Sequence, residues 1–178
     1  MSDFIINIIV NILCSVVASL IFLMLVLQFL RPLVAISPVI VKGKDTSDAE
    51  KVAYSIKIVN KSLFKAFDIN VELHEVRQIP AHPSGFHTQL KKIPLIVEHF
   101  PCLAPNRLFG RKDGVNCVQF RTNADIEKIV SNEQRTLKFQ IILRHGLTGL
   151  SEIFQKEYVL KELIKNGQFS NGNNFEVI

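Results

Sequence analysis

The sequence predicts an N-terminal transmembrane helix followed by an all-β soluble domain, mainly antiparallel and arranged as a sandwich or a related form. Two observations carry this. Phe4 to Leu30 contains no charged residue, whereas beyond Arg31 the apolar residues recur in short runs with a period of two, separated by Pro, Gly and Asn. The expected division is 1–3 outside the membrane, 4–30 as the span and 31–178 as one cytosolic β-rich domain, long enough to bury a core.

The uncharged run is longer than the roughly 20 apolar residues needed to cross a hydrocarbon core of about 30 Å. It is also too long for the apolar region of a cleaved leader, and Met1-Ser2-Asp3 is acidic where a leader would be basic. A single-pass helix is expected. Arg31, Lys42 and Lys44 follow the run and no basic side chain precedes it, so the positive-inside bias puts the N-terminus outside and the C-terminal domain in the cytoplasm, as in a bacterial inner membrane. All 21 Lys and Arg lie from Arg31 onward, with every one of the 16 acids except Asp3. The domain is therefore basic and suited to an anionic leaflet or an anionic ligand.

Within the span, Asn7, Asn11, Cys14 and Ala18 open a seam of alternating four and three spacing that continues through Ile21, Leu25 and Gln28. Small and polar residues in hydrocarbon favour close helix contact, because an amide there needs a partner. These four residues are the expected face of helix association in a homo-oligomer.

Leu33 to Val41 reads as an edge strand interrupted by Pro38, which cannot donate to a ladder, and Lys42 to Glu50 as a polar turn. Val52 to Val59 alternates: Val52, Tyr54, Ile56 and Ile58 fall on one face, and Ala53, Ser55, Lys57 and Val59 on the other. That is the pattern of a half-buried strand. After the Asn60-Lys61-Ser62 turn, Phe67, Ile69, Val71 and Leu73 alternate again, and the short connection predicts antiparallel pairing with the first strand. Arg77 to Asn116, with Pro80, Pro83 and Pro94, reads as a long loop containing one strand at Ile93 to Phe100; Pro101 to Gly114 reads as irregular. Asn116 to Arg121 is a strand, Asn123 to Ser131 a short helix or turn, and Leu137 to Leu143 the strongest strand. Glu152 to Leu160 and Phe175 to Ile178 complete seven or eight strands, with Leu160 to Ile164 equally readable as helix. The expected core is Tyr54, Ile56, Ile58, Phe67, Ile69, Val71, Leu73, Leu137, Phe139, Ile141 and Leu143.

Tyr54 to Ser62 followed by Ala66 to Leu73 resembles the paired strands of bacterial immunoglobulin-like adhesion modules, which implies an immunoglobulin-like sandwich. The layout of one N-terminal span and a small cytosolic β domain resembles bacterial membrane effectors of phage defence. Among these are the type III CRISPR effectors that bind cyclic oligoadenylate, and the resemblance implies a nucleotide second messenger as ligand and the membrane as target.

The candidate ligand contacts are Lys61, Arg107, Arg111, Lys112, Arg144 and His145, each a cation at a strand end or glycine turn. They suit an anionic small ligand. The alternative is an adaptor that holds a protein partner at the lipid bilayer. No metal site, cofactor or catalytic residue is expected: Cys14, Cys102 and Cys117 form no C-x-x-C, and the five histidines lack close ligand spacing. The common phosphate-loop, nucleophile-elbow and zinc-protease motifs do not occur.

Overall fold

A computed structural model describes residues 2–29, 33–44, 52–81, 85–106, 116–131, 135–146, 148–159 and 161–178. The chain divides into two compact units, Met1–Arg31 and Pro32–Ile178. The first is helix α1 (Ser2–Phe29). Its segment Phe4–Gln28 is 25 residues long and apolar enough to span a membrane. At about 1.5 Å per residue it exceeds the thickness of a hydrocarbon core.

The second unit is mostly β, with ten strands in two sheets among the described residues. Its elements are β1 (Val34–Ile36), β2 (Ile40–Lys44), β3 (Val52–Asn60), β4 (Ala66–Ala81), β5 (Gly85–Ile93), β6 (His99–Leu103), β7 (Cys117–Thr122), helix α2 (Ile126–Val130), β8 (Arg135–His145), β9 (Ser151–Tyr158), a 3-10 turn at Lys161–Leu163 and β10 (Ile164–Asn166). In the first sheet β3 is central. It pairs with β7 along one side and with β1 and β2 along the other, and β10 joins β2 in parallel. In the second sheet β4 is central, with β8 and then β9 on one side and β5 and β6 on the other.

The sheets enclose one main core, which includes Tyr54, Ile56 and Ile58 from β3, Phe120 from β7, Ile69, Val71 and Leu73 from β4, and Leu137, Phe139, Ile141 and Leu143 from β8. Phe120 and Phe139, from opposite sheets, meet with ring centroids 6.3 Å apart. The Tyr158 hydroxyl, buried in β9, donates to the Ser37 carbonyl at 2.7 Å and ties the second sheet to the link between β1 and β2.

Several expectations are corrected. Strand β3 does not pair with β4; the Asn60 turn carries the chain from one sheet to the other. The loop expected from Arg77 is the continuation of β4, which with β5 forms a long hairpin in register from Leu73↔Ile93 to Ala81↔Gly85. Pro80 is tolerated because it lies near the hairpin end, where few ladder bonds follow. The strand expected at Ile93 to Phe100 divides: Ile93 ends β5, and His99 begins β6. Phe67 is 37% exposed and outside the core. The register of β4 shifts between Phe67 and Asn70, and Asp68 adopts φ 49°, so the alternation that Ile69, Val71 and Leu73 keep is broken one step earlier.

Candidate functional site

The turn after β3 gathers distant segments at one end of the β domain. Asn60 is fully buried and explains why. Its amide donates to the carbonyls of Phe64 and Ala104, both at 2.9 Å, and its side-chain oxygen accepts from the Ser62 amide at 2.9 Å. Its backbone bonds to Asn116 in both directions, amide to carbonyl at 2.8 Å and side chain to carbonyl at 3.2 Å. A buried asparagine satisfied in this way fixes its own turn and ties it to two distant chain segments at once. The amides of Lys61 and Ser62 donate to the Leu33 carbonyl, where the chain enters the domain, and Asn106 donates to the Ser62 carbonyl. Gly146 donates to the Lys65 carbonyl at 2.9 Å. A Cβ at Gly146 would stand 2.7 Å from that oxygen, so the approach requires glycine.

Lys61, Arg144 and His145 are therefore brought to one end. Arg107, Arg111 and Lys112 lie outside the described residues, while Asn106 and Asn116, which bracket them, are both held at the Asn60 turn. Arg144 is exposed and pairs with Asp68 at 3.2 Å. His145 is buried, packs edge-on against Phe64 at 5.1 Å and sits 3.2 Å from the Thr148 hydroxyl through Nδ1. Burial lowers its pKa and favours the neutral ring. As it stands, His145 shapes the loop instead of facing solvent. Lys61 is half-buried and donates from Nζ to the Asn173 carbonyl at 3.1 Å.

On α1, Asn7, Asn11, Cys14 and Ala18 are all exposed on the helix surface. The hydroxyls of Ser15 and Ser19 donate to the carbonyls four residues earlier, at 2.8 Å each, which satisfies them within the helix. In a bilayer the asparagine amides would be the costly groups.

Two features escaped the sequence reading. Lys57, expected on an open strand face, is 1% exposed; its Nζ donates to the Ser170 carbonyl at 2.8 Å and lies 5.9 Å from the Phe169 ring centroid. Burial depresses its pKa. The second is an open pocket of about 390 Å³ at the opposite end of β3, lined by Lys42, Val52, Tyr54, Asn123, Asp125 and Glu127. There Lys42 forms a forked ion pair with both oxygens of Glu127 at 2.9 Å, and Asp125 caps α2. The Lys57 cover comes from more than 100 residues away, which no local pattern reveals. The Lys42–Glu127 pair spans 85 positions and is equally hidden.

Among the described residues, no group of three or more His, Cys, Asp or Glu is placed to hold a metal ion.

The sequence matches no protein-family model and no curated protein. Among solved structures, the chain is similar to Spo0M, a sporulation control protein from Bacillus subtilis, with a TM-score of 0.40 and 11% identity over 72% of this chain and 49% of that one. The chain thus spans about half the length of that protein. A likeness of that depth identifies no shared function.

Proposed function

We propose that this chain is a membrane-anchored, non-enzymatic sensor and effector. Its β domain, an immunoglobulin-like sandwich on the cytoplasmic side, binds an anionic small ligand such as a cyclic nucleotide second messenger. It then acts on the membrane through an oligomerised transmembrane helix, as in antiviral defence. The observation that carries this reading is the convergence at the Asn60 turn: Lys61, Arg144 and both brackets of the segment bearing Arg107, Arg111 and Lys112 share one end of the domain with Leu33. An anion received there bears on the main chain that leads back through Pro32 and Arg31 to the helix. In the membrane, Asn7, Asn11, Cys14 and Ala18 supply the helix contacts. The ligand moves the assembly only if it binds two states with different affinity.

The test is a thermal-shift panel of linear and cyclic nucleotides on the full-length protein in detergent. Stabilisation by a phosphate-bearing ligand that is lost in Lys61→Met with Arg144→Gln supports the reading. No shift far above micromolar ligand removes it.

One observation favours a second reading, an adaptor that holds a protein partner at the membrane. Strand β5 is a nine-residue sheet edge with Phe86 and Leu90 exposed, a template for strand addition. A stable protein partner in a pull-down that is lost when Thr88 is replaced by proline, together with indifference to nucleotides, favours the adaptor.

A further inference from the structure

The outer face of the β3 sheet is covered by the segment Gly167–Ile178. That segment folds back on itself: Gln168 and Ile178 exchange both backbone hydrogen bonds, and Ser170 donates to the Glu176 carbonyl. It is fastened by little. Phe169 and Val177 pack on Val39 and Val41 in a cluster separate from the main core, and the Gly167 amide donates to the Lys42 carbonyl at 3.1 Å. Among the described residues, Lys57 also fastens the segment through the Ser170 carbonyl and Lys61 through the Asn173 carbonyl.

Those lysines are unusual in what they lack. Among the described residues, neither ammonium pairs with a carboxylate, and the charged or titratable groups felt by Lys57 are Cys117, whose thiol burial keeps protonated, and Lys61 itself. A fully buried cation is ordinarily retained with a counter-ion. Here two main-chain carbonyls, which carry only partial negative charge, stand where anionic oxygens would bind more strongly. Lys57 lies on the outer face of β3 and Lys61 just past its end, and both ammoniums donate to carbonyls of one covering segment.

We propose that the face bearing Lys57 and Lys61 is an anion site that the Gly167–Ile178 segment occupies in cis, and that phosphoryl oxygens displace the segment by taking its place on both lysines. This rests on the sensor reading and names its switching element: the covered and uncovered forms are the two states that a ligand must distinguish. The same phosphoryl chemistry is offered by a free polyphosphate or by an anionic lipid headgroup. Peripheral segments with few buried apolar contacts open at low free-energy cost, which suits a cover.

Gly167 provides the lever for a test. It adopts φ +135°, and a Cβ there would clash with the Ile178 carbonyl, so Gly167→Ala weakens the cover without touching the main core. Hydrogen exchange by mass spectrometry is followed across Gly167–Ile178 in the full chain in nanodiscs. One arm adds millimolar inorganic pyrophosphate to phosphatidylcholine discs; the other uses phosphatidylglycerol discs without pyrophosphate. Exchange at Gln168, Ser170 and Ile178 is expected to rise several-fold in at least one arm, and the responding arm identifies the source. Lys57→Met, whose apolar chain can fill the same channel, should remain folded by circular dichroism and lose the response. Gly167→Ala should tighten apparent pyrophosphate binding by about the factor by which it raises the open population, on the order of tenfold, if free pyrophosphate is the responder. Unchanged or increased protection in both arms overturns the proposal, as does a response that survives Lys57→Met. A nucleotide thermal shift that persists with the segment protected overturns this site and leaves the sensor reading standing; absence of any shift removes that reading too.

Discussion

Strand β8 is buried on one face and β3 on both. Along β8, Leu137, Phe139, Ile141 and Leu143 are at most 1% exposed, while Thr136, Lys138, Gln140 and Ile142 between them are half-buried at the outer surface. Along β3, Ala53, Lys57 and Val59 on the outer face are as enclosed as Tyr54, Ile56 and Ile58 on the inner one. The difference lies in what covers each sheet. The β4–β8 sheet leaves its outer face to charged and polar side chains, among them the Gln140–Gln155 pair. The β3 sheet has its outer face closed by a short segment whose Phe169 and Val177 pack on Val39 and Val41 in a cluster apart from the main core. Inner faces therefore carry stability, and the outer face of β3 carries a removable layer.

The largest effect should come from breaking the shared inner face. Ile141→Asp places a carboxylate at a fully buried site of β8 among the apolar side chains of the main core. The expected cost is above about 5 kcal/mol, comparable to the roughly 5–15 kcal/mol that holds a domain folded, so the variant should unfold or melt far below wild type. Loss of the far-UV β signal and of the cooperative melt checks it. The neighbouring Gln140→Asp, on the half-buried outer face, should change stability by no more than about 0.5 kcal/mol. Equal effects from the two would erase the distinction between the faces of β8.

A second probe tests the inner face of the same sheet at its end, where Glu75 stands in register with Leu137 and follows Leu73 on the core-facing side of β4. The Glu75 carboxylate is almost wholly enclosed, 2.6 Å from Arg77 Nε and 3.1 Å from Arg135 Nη1. The hydrogen bond from Arg77, then the charges of Arg77 and Arg135, hold its pKa below the ordinary glutamate value against the opposing effect of burial. Because the folded-state pKa is depressed, the stabilisation is complete above the unfolded glutamate value near 4.3. It is lost as pH falls through the folded value. Glu75→Gln should cost about 2 kcal/mol at neutral pH, since both guanidiniums are about a third exposed and recover some hydration. It should also flatten the fall in melting temperature below pH 4.5. A mutant with the wild-type acid profile would show that Glu75 does not titrate with folding.

These probes also mark what could be read from the chain. The N-terminal helix, apolar and long enough to span a membrane, was legible because its uncharged run has no break. The inner faces of β3, β4 and β8 were legible because period two survives in Tyr54-Ile56-Ile58, Ile69-Val71-Leu73 and Leu137-Phe139-Ile141. Phe67 shows the limit: one bulge at Asp68 inverts the parity, and nothing local announces it. The β4–β5 hairpin was hidden by Pro80 and Pro83, which read as loop although the register runs to Ala81↔Gly85. Among the candidate residues, Lys61 and Arg144 were named as cations at turns; what brings them to one end is the Asn60 turn, through its bonds to Phe64, Ala104 and Asn116, and the β4–β8 pairing, which no local pattern reveals. Lys57 was misread because alternation assigns it to a face but cannot say what lies on that face.

A third probe addresses that hub. Asn60→Ala removes the amide that the Phe64 and Ala104 carbonyls accept from in a buried turn, and leaves the Ser62 amide only its bond to the Leu33 carbonyl. A loss of about 2 kcal/mol is expected, on the scale of leaving buried polar groups unsatisfied. Hydrogen exchange should accelerate first at Ser62 and Asn106, whose amides are held at that turn. Uniform acceleration across the domain would mean that the turn is no separate unit.

The smallest effect in stability is the most discriminating between β3 and β8. Lys57→Met removes a buried ammonium whose hydrogen-bond partner is a neutral carbonyl and fills its channel with an apolar chain of similar length. Burying the charge costs desolvation that a single carbonyl repays only in part, and apolar replacement of buried charges is often neutral or stabilising. Lys57→Met is therefore expected to leave stability unchanged or raise it by about 1 kcal/mol. Lys138→Met, at a half-buried position on the outer face of β8, should stay within about 0.5 kcal/mol of wild type in either direction. The Ser170 carbonyl left behind in Lys57→Met still has water within reach, because Ser170 is only half-buried. Thermal denaturation of both variants beside wild type checks the pair. Marked destabilisation by Lys57→Met alone would show that the lysine is a structural fastening of the cover, and a residue kept there for stability has no need of an anion to explain it.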